Sequence, residues 1–149
     1  MLASPSTGAS PPTGESDEPV EIPEADTKPE LSRSQVNAVW GRLTSTENFW
    51  ESLQETEPGA IARLHGLTME RGWEVMFLTS RPFVPGRTVQ RQTQRWLERH
   101  GFALPSAFVV RGSRGLIAAA LHLDVVVDDR PENCLDVVTD SSARAILVW

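Results

Sequence analysis

The run from Trp73 to Arg81, Trp-Glu-Val-Met-Phe-Leu-Thr-Ser-Arg, constrains the fold more than any other stretch of this chain. Val75 to Thr79 are apolar or β-prone, and Gly72 marks the end of a preceding helical pattern. A short apolar run bounded by breakers and flanked by helical patterns reads as a buried parallel strand. Its polar tail, Thr79-Ser80-Arg81, then falls at the carboxyl end of the strand, where open α/β sheets place their ligands. Two hydroxyls, free backbone N–H groups and a guanidinium at one strand end can hold a phosphate. Thr79 and Ser80 could instead serve only as turn or helix-cap residues.

A second stretch has the same form. Asp124-Val125-Val126-Val127-Asp128-Asp129-Arg130 is an apolar strand ending in two adjacent carboxylates and an arginine. Neighbouring acids repel unless a cation or proton relieves them. Hard oxygen ligands of this kind suit Mg²⁺. Acids also favour helix N-termini, so one of the two could cap a helix opening near Pro131.

The rest of the chain alternates around these strands. Ser32 or Ser34 can cap a helix with Val36, Val39, Trp40 and Leu43 on its apolar face. A second amphipathic piece, 47–53, presents Phe49, Trp50 and Leu53, and both Trp40 and Trp50 read as core residues. Pro58 opens a helix through Arg71, with Ile61, Leu64 and either Leu67 or Thr68 inward. A helix over 87–100 buries Val89, Thr93, Trp96 and Leu97. A strand over 107–110 precedes a Ser113-capped helix burying Ile117, Ala120 and Leu121. After the Asp-tipped strand, a helix from Pro131 uses Cys134, Leu135 and Val138, and 145–149 is a last strand. Such alternation predicts a three-layer α/β domain with a parallel sheet and right-handed crossovers.

Charge divides the chain. Residues 1–30 carry seven acids and one base, Lys28, and so account for the whole net charge of −6. With six of the eleven prolines, this segment reads as a disordered acidic tail. Residues 31–149 balance 13 acids against 13 arginines, which argues against binding a nucleic-acid polymer. A lone Cys134 cannot form an intramolecular disulfide, and no apolar run approaches a membrane span or a signal-peptide core. The expectation is a cytoplasmic protein with no membrane partner. His65, His100 and His122 share no metal-ligand spacing and read as structural, as does Cys134. Arg81 and Arg130 read as surface or structural ion pairs, and Glu132-Asn133 as support for the acid loop.

In order and spacing, Phe49-Trp50, Pro58-Gly59-Ala60, Phe77-Leu78-Thr79-Ser80-Arg81-Pro82, Arg114-Gly115, Ala120-Leu121-His122-Leu123-Asp124 and Val127-Asp128-Asp129-Arg130-Pro131-Glu132-Asn133 resemble the haloacid dehalogenase (HAD) superfamily of Mg²⁺-dependent phosphatases. Within it the likeness is to small 5′-nucleotidase-like hydrolases, and it covers residues 19–149. The resemblance implies a three-layer Rossmann-like core over 58–149, a small helical cap over 31–57 and the tail over 1–30. It gives Thr79, with Ser80, a hydrogen-bonding role toward a transferring phosphoryl group. Asp128 and Asp129 are implied Mg²⁺ ligands. Arg114 stands where the family has lysine, keeping the charge but not the compact ammonium.

The family's first motif, Asp-x-Asp at the end of a first strand, occurs nowhere in the chain. Its first Asp is the family's nucleophile and its second the general acid/base. The expectation is that this strand lies upstream of Met1 or has been replaced by the tail, leaving an incomplete core with little activity alone. The implied activity is phosphomonoester hydrolysis, with a phosphorylated small molecule as substrate and a nucleotide as one candidate. The alternative is a non-catalytic module that binds a phosphorylated ligand or a protein partner. A sheet lacking its first strand would expose an edge and favour self-association.

Overall fold

A computed structural model describes residues 31–148. The acidic tail and Trp149, on which two of the expectations above bear, lie outside the described residues. Among the described residues no helix is long and apolar enough to cross a membrane.

Helix α1 (Arg33–Ser45) opens with a capping box. The Ser32 hydroxyl accepts from Gln35 N at 3.3 Å, and the Gln35 side chain accepts from Ser32 N at 2.8 Å. Of its apolar face only Val36 and Leu43 are even partly covered, and Trp40 is exposed rather than in the core. The next piece is shorter than expected, a 3₁₀ turn over Phe49–Glu51. Trp50 is buried there, its indole N–H donating to the Pro82 carbonyl at 3.1 Å.

Helix α2 (Ala60–Arg71) starts two residues after Pro58, and buries Thr68 while Leu67 stays exposed. The Glu55 carboxylate accepts from Gly59 N at 2.7 Å and Ile61 N at 2.9 Å, satisfying first-turn donors that no N-cap side chain reaches. Those two bonds hold its pKa below the usual carboxylate range. Strand β1 (Met76–Thr79), helix α3 (Val89–Arg99) and strand β2 (Ser106–Val109) follow. Thr88 caps α3 by accepting from Arg91 N, and α3 buries Val89, Thr93 and Leu97 as expected, with Trp96 half-buried. Then come α4 (Arg114–Ala120), β3 (Val125–Asp128), α5 (Pro131–Asp140) and β4 (Arg144–Leu147).

The chain is therefore mixed α/β with parallel strands, but the strands form two pairs. β1 lies parallel to β2, with Phe77 opposite Ala107 and Thr79 opposite Val109. β3 lies parallel to β4, with Val126 opposite Ala145 and Asp128 opposite Leu147. Each pair is a β-helix-β crossover, and among the described residues no ladder joins the two.

The cores are separate too. Leu97, Phe102 and Ala107 pack with Ile61, Leu64, Phe77 and Trp96 on one face of the β1–β2 pair. Trp50, Val84 and Val89 form a neighbouring cluster that reaches Val109. Under the β3–β4 pair the core is Ala118, Val126, Val137 and Ala143. Here the expected helix faces are corrected. α4 buries Ala118 with Ile117 half-covered, while Ala120 and Leu121 are exposed. α5 buries Val137 completely, leaves Leu135 and Val138 exposed and covers Cys134 only in part. The reason is Gly115. Any Cβ there would strike the Asp136 carbonyl, so α4 meets α5 through the glycine side and turns Ala118 inward.

Candidate functional site

Of the residues singled out for chemistry, all but Arg114 stand at or just beyond the carboxyl ends of strands. Thr79 closes β1 and Asp128 closes β3, each with its carbonyl still in the ladder. Val110 N donates to Thr79 O at 2.8 Å, and Val148 N donates to Asp128 O at 3.0 Å. The pairing thus holds each backbone up to the point where its side chain leaves the sheet.

Asp128 is the best-fixed of these groups. Its Oδ1 accepts from Arg130 N and from Asn133 Nδ2, each at 2.9 Å, and Oδ2 accepts from the same amide at 3.0 Å. The first bond is an Asx turn, which bends the chain from β3 into α5. Pro131 sits in the first turn of α5, where its missing N–H costs nothing. Asn133 therefore supports the acid loop, whereas Glu132 pairs with Arg130 at 3.7 Å and both are largely exposed. Asp129 is exposed.

Arg114 comes to Asp128 from the start of α4. Ser113 caps that helix by accepting from Gly115 N and Leu116 N, and ties it to α5 by donating to Asp140 at 3.1 Å. The Arg114 side chain is 8% exposed, and its Nε lies 4.0 Å from Asp128 Oδ2. That separation gives Coulombic attraction but no hydrogen bond, and among the described residues Nε has no hydrogen-bond partner. A buried guanidinium N–H left unpaired costs free energy that an incoming acceptor would recover.

The structure brings Arg114 and Asp128 together. Thr79, half-buried, and Ser80, exposed, stand at the end of the other strand pair. Among the described residues no hydrogen bond or ion pair links them to Arg114, Asp128 or Asp129. Among the described residues Arg81 is in no ion pair. Its guanidinium lies 5.0 Å from the centre of the Trp50 ring, burial pulls its pKa below the ordinary value, and its Nη1 is unpaired among the described residues. The histidines are structural where the structure shows their contacts. His65 meets Phe102 edge to face at 5.0 Å, and His100 Nδ1 lies 2.7 Å from the Trp96 carbonyl.

The candidate Mg²⁺ ligands at the end of β3 are two carboxylates, Asp128 and Asp129. Mg²⁺ binds through one or two carboxylates while water and substrate oxygens complete its shell. Asp128 and Asp129 supply two such groups, the first held by Asn133. No cluster of three or more His, Cys, Asp or Glu side chains stands ready as a metal cage among the described residues.

One charged centre escaped the sequence reading. Glu51 is buried in the 3₁₀ turn, and three arginines converge on its carboxylate. Arg87 donates at 3.3 Å, Arg95 at 3.2 Å and Arg99 at 2.9 Å. Beside it, fully buried Gln92 accepts from Trp50 N at 3.1 Å. The signal was present as the four-residue spacing of Arg91, Arg95 and Arg99 along α3, with Arg87 four residues earlier, just before its N-cap. Nothing in the sequence says which acid these arginines meet.

Compared with protein-family models, curated proteins and solved structures, the chain matches none.

Proposed function

We propose that this chain carries the phosphate-holding and metal-holding parts of a HAD-like, nucleotidase-like phosphomonoester hydrolase on a Rossmann-like core. The observation that supports this most is Arg114, a buried cation beside Asp128 whose Nε–H has no acceptor among the described residues. A phosphoryl oxygen is an acceptor of the right charge. In this reading Arg114 neutralises a phosphate, the Thr79 hydroxyl donates to one of its oxygens, and Ser80 adds a second donor. Asp128 and Asp129 would hold Mg²⁺, which neutralises phosphate oxygens when bound. Asn133 keeps the Asp128 carboxylate aimed. The phosphoryl acceptor would be a carboxylate on a further strand, which none of the described residues supplies.

A second reading, a non-catalytic module for phosphorylated ligands, is favoured by the state of Asp128, whose two oxygens are already engaged by Asn133 and Arg130. Mg²⁺-dependent thermal melting tests the metal site that only the hydrolase reading needs. Mg²⁺ should raise the melting temperature of the wild-type protein and leave Asp129→Asn unmoved, because a ligand that binds only the native state stabilises it. An equal gain in both proteins would sink the hydrolase reading.

A further inference from the structure

The arginines around α3 fall into two groups. Arg87, Arg95 and Arg99 are consumed by Glu51. Arg81, Arg91 and Arg111 have no carboxylate partner among the described residues, and all three line one open cleft of about 590 Å³. The cleft lies between the loop after β1, the first turn of α3 and the chain leaving β2. Among the described residues no acid contributes to its wall, which is lined by three arginines. Its other walls include Val109 and Phe83, which is 70% exposed. Arg81 is held there over the Trp50 ring, and its Nη1 is buried without a hydrogen-bond partner among the described residues.

Three like charges brought together without a counter-charge raise the energy of the free protein, and an anion relieves it. Guanidinium forks match phosphate geometry in particular. An exposed aromatic ring beside them offers a face for a planar group. The volume is of the size that holds a small-molecule ligand. We propose that this cleft binds an organic phosphate with an aromatic body, of the nucleoside diphosphate class, with its phosphates on Arg81, Arg91 and Arg111 and its ring against Phe83. The cleft shares no residue with the Thr79, Arg114, Asp128 and Asp129 set, so the inference stands whether or not those residues hold a metal.

Calorimetric titration of the whole chain with adenosine 5′-diphosphate in metal-free buffer tests this, with pyrophosphate and adenosine as separate probes. Adenosine diphosphate should bind more tightly than either part. Arg111→Gln and Arg91→Gln alter exposed side chains, so they should keep the far-ultraviolet circular dichroism while each weakens binding by about tenfold. Phe83→Ala should weaken adenosine diphosphate but not pyrophosphate. Arg144→Gln, which removes an exposed arginine at the start of β4 outside the cleft, should leave affinity unchanged. The inference is overturned if adenosine diphosphate fails to bind at millimolar concentration. It is equally overturned if Arg111→Gln and Arg91→Gln bind as the wild type does, or if Arg144→Gln weakens binding as much as they do.

Discussion

Where the β1–β2 pair is packed by Leu97, Phe102, Phe77 and Trp96, the β3–β4 pair is packed by Ala118, Val126, Val137 and Ala143. Both pairs arise from the same parallel crossover, yet one core is built from large and aromatic side chains and the other from small ones. Small residues bury little apolar area each, so the second pair gains its cohesion from close backbone approach. Gly115 on Asp136 is the clearest instance. The two pairs also differ at their open faces. Val125, Val127 and Ile146 stand 45%, 61% and 43% exposed on the side of β3–β4 away from α4 and α5. A two-stranded sheet is marginal in water, and parallel sheets are normally covered on both faces. The half that holds Asp128 is thus the more dependent on something further being packed against it.

If the two halves hold together by separate cores, damage to one should stay local. Leu97→Ala should cost about 2 to 5 kcal/mol, since it removes a fully buried side chain from the first core. Gly115→Ala should cost about 3 kcal/mol by forcing α4 off α5. Native-state hydrogen exchange checks the comparison directly. Leu97→Ala should lower amide protection in β1 and β2 and spare β3 and β4, with the reverse for Gly115→Ala. Uniform loss in both variants would show that the halves unfold as one unit.

A smaller effect is expected at Glu51. Glu51→Gln removes the charge that draws three guanidinium groups together, but those groups are about half exposed and can rehydrate. A loss of about 2 kcal/mol in urea denaturation is expected, falling on the first half alone. Glu55 gives a pH signature for the same half. Its pKa is lowered on folding, so its contribution is fully present above the unfolded value, about 4.3, and fades as pH falls through the lower folded value. Glu55→Ala should therefore melt at a lower temperature than wild type at pH 7, with the gap narrowing below pH about 4. A constant gap down to pH 3 would show that its two backbone bonds carry no charge-dependent stabilisation. The smallest effect on stability is expected from Val127→Lys, on an exposed face, yet it should matter most for association. If that face drives association between copies, the wild-type chain should elute as a larger species than Val127→Lys on a sizing column. Identical elution would remove the open face of β3–β4 from consideration.

The legibility of this molecule follows from where its information is local. Strand positions, the Ser113 and Ser32 caps, and the inward residues of α3 were readable because breakers, cap hydroxyls and a 3.6-residue period act within a few residues of chain. The placement of Thr79 and Asp128 at strand ends was readable for the same reason. The helix faces of α4 and α5 were not. Leu121 is more apolar than Ala118, and Leu135 and Val138 are no less apolar than Val137, yet Ala118 and Val137 are the buried ones, because the rotation of each helix was decided by which neighbours could approach without a Cβ in the way.

The sequence by itself determined the α/β alternation, the strand ends that carry hydroxyl and carboxylate, and the absence of an Asp-x-Asp motif. Only the tertiary structure decided that Arg114 is buried against Asp128, that Glu51 draws in Arg87, Arg95 and Arg99, and that Arg81, Arg91 and Arg111 share a cleft to which no acid among the described residues contributes. Charge pairing is set by distances between residues far apart in the chain. An arginine reads the same in a sequence whether its partner is a buried carboxylate, an aromatic ring or an open cleft.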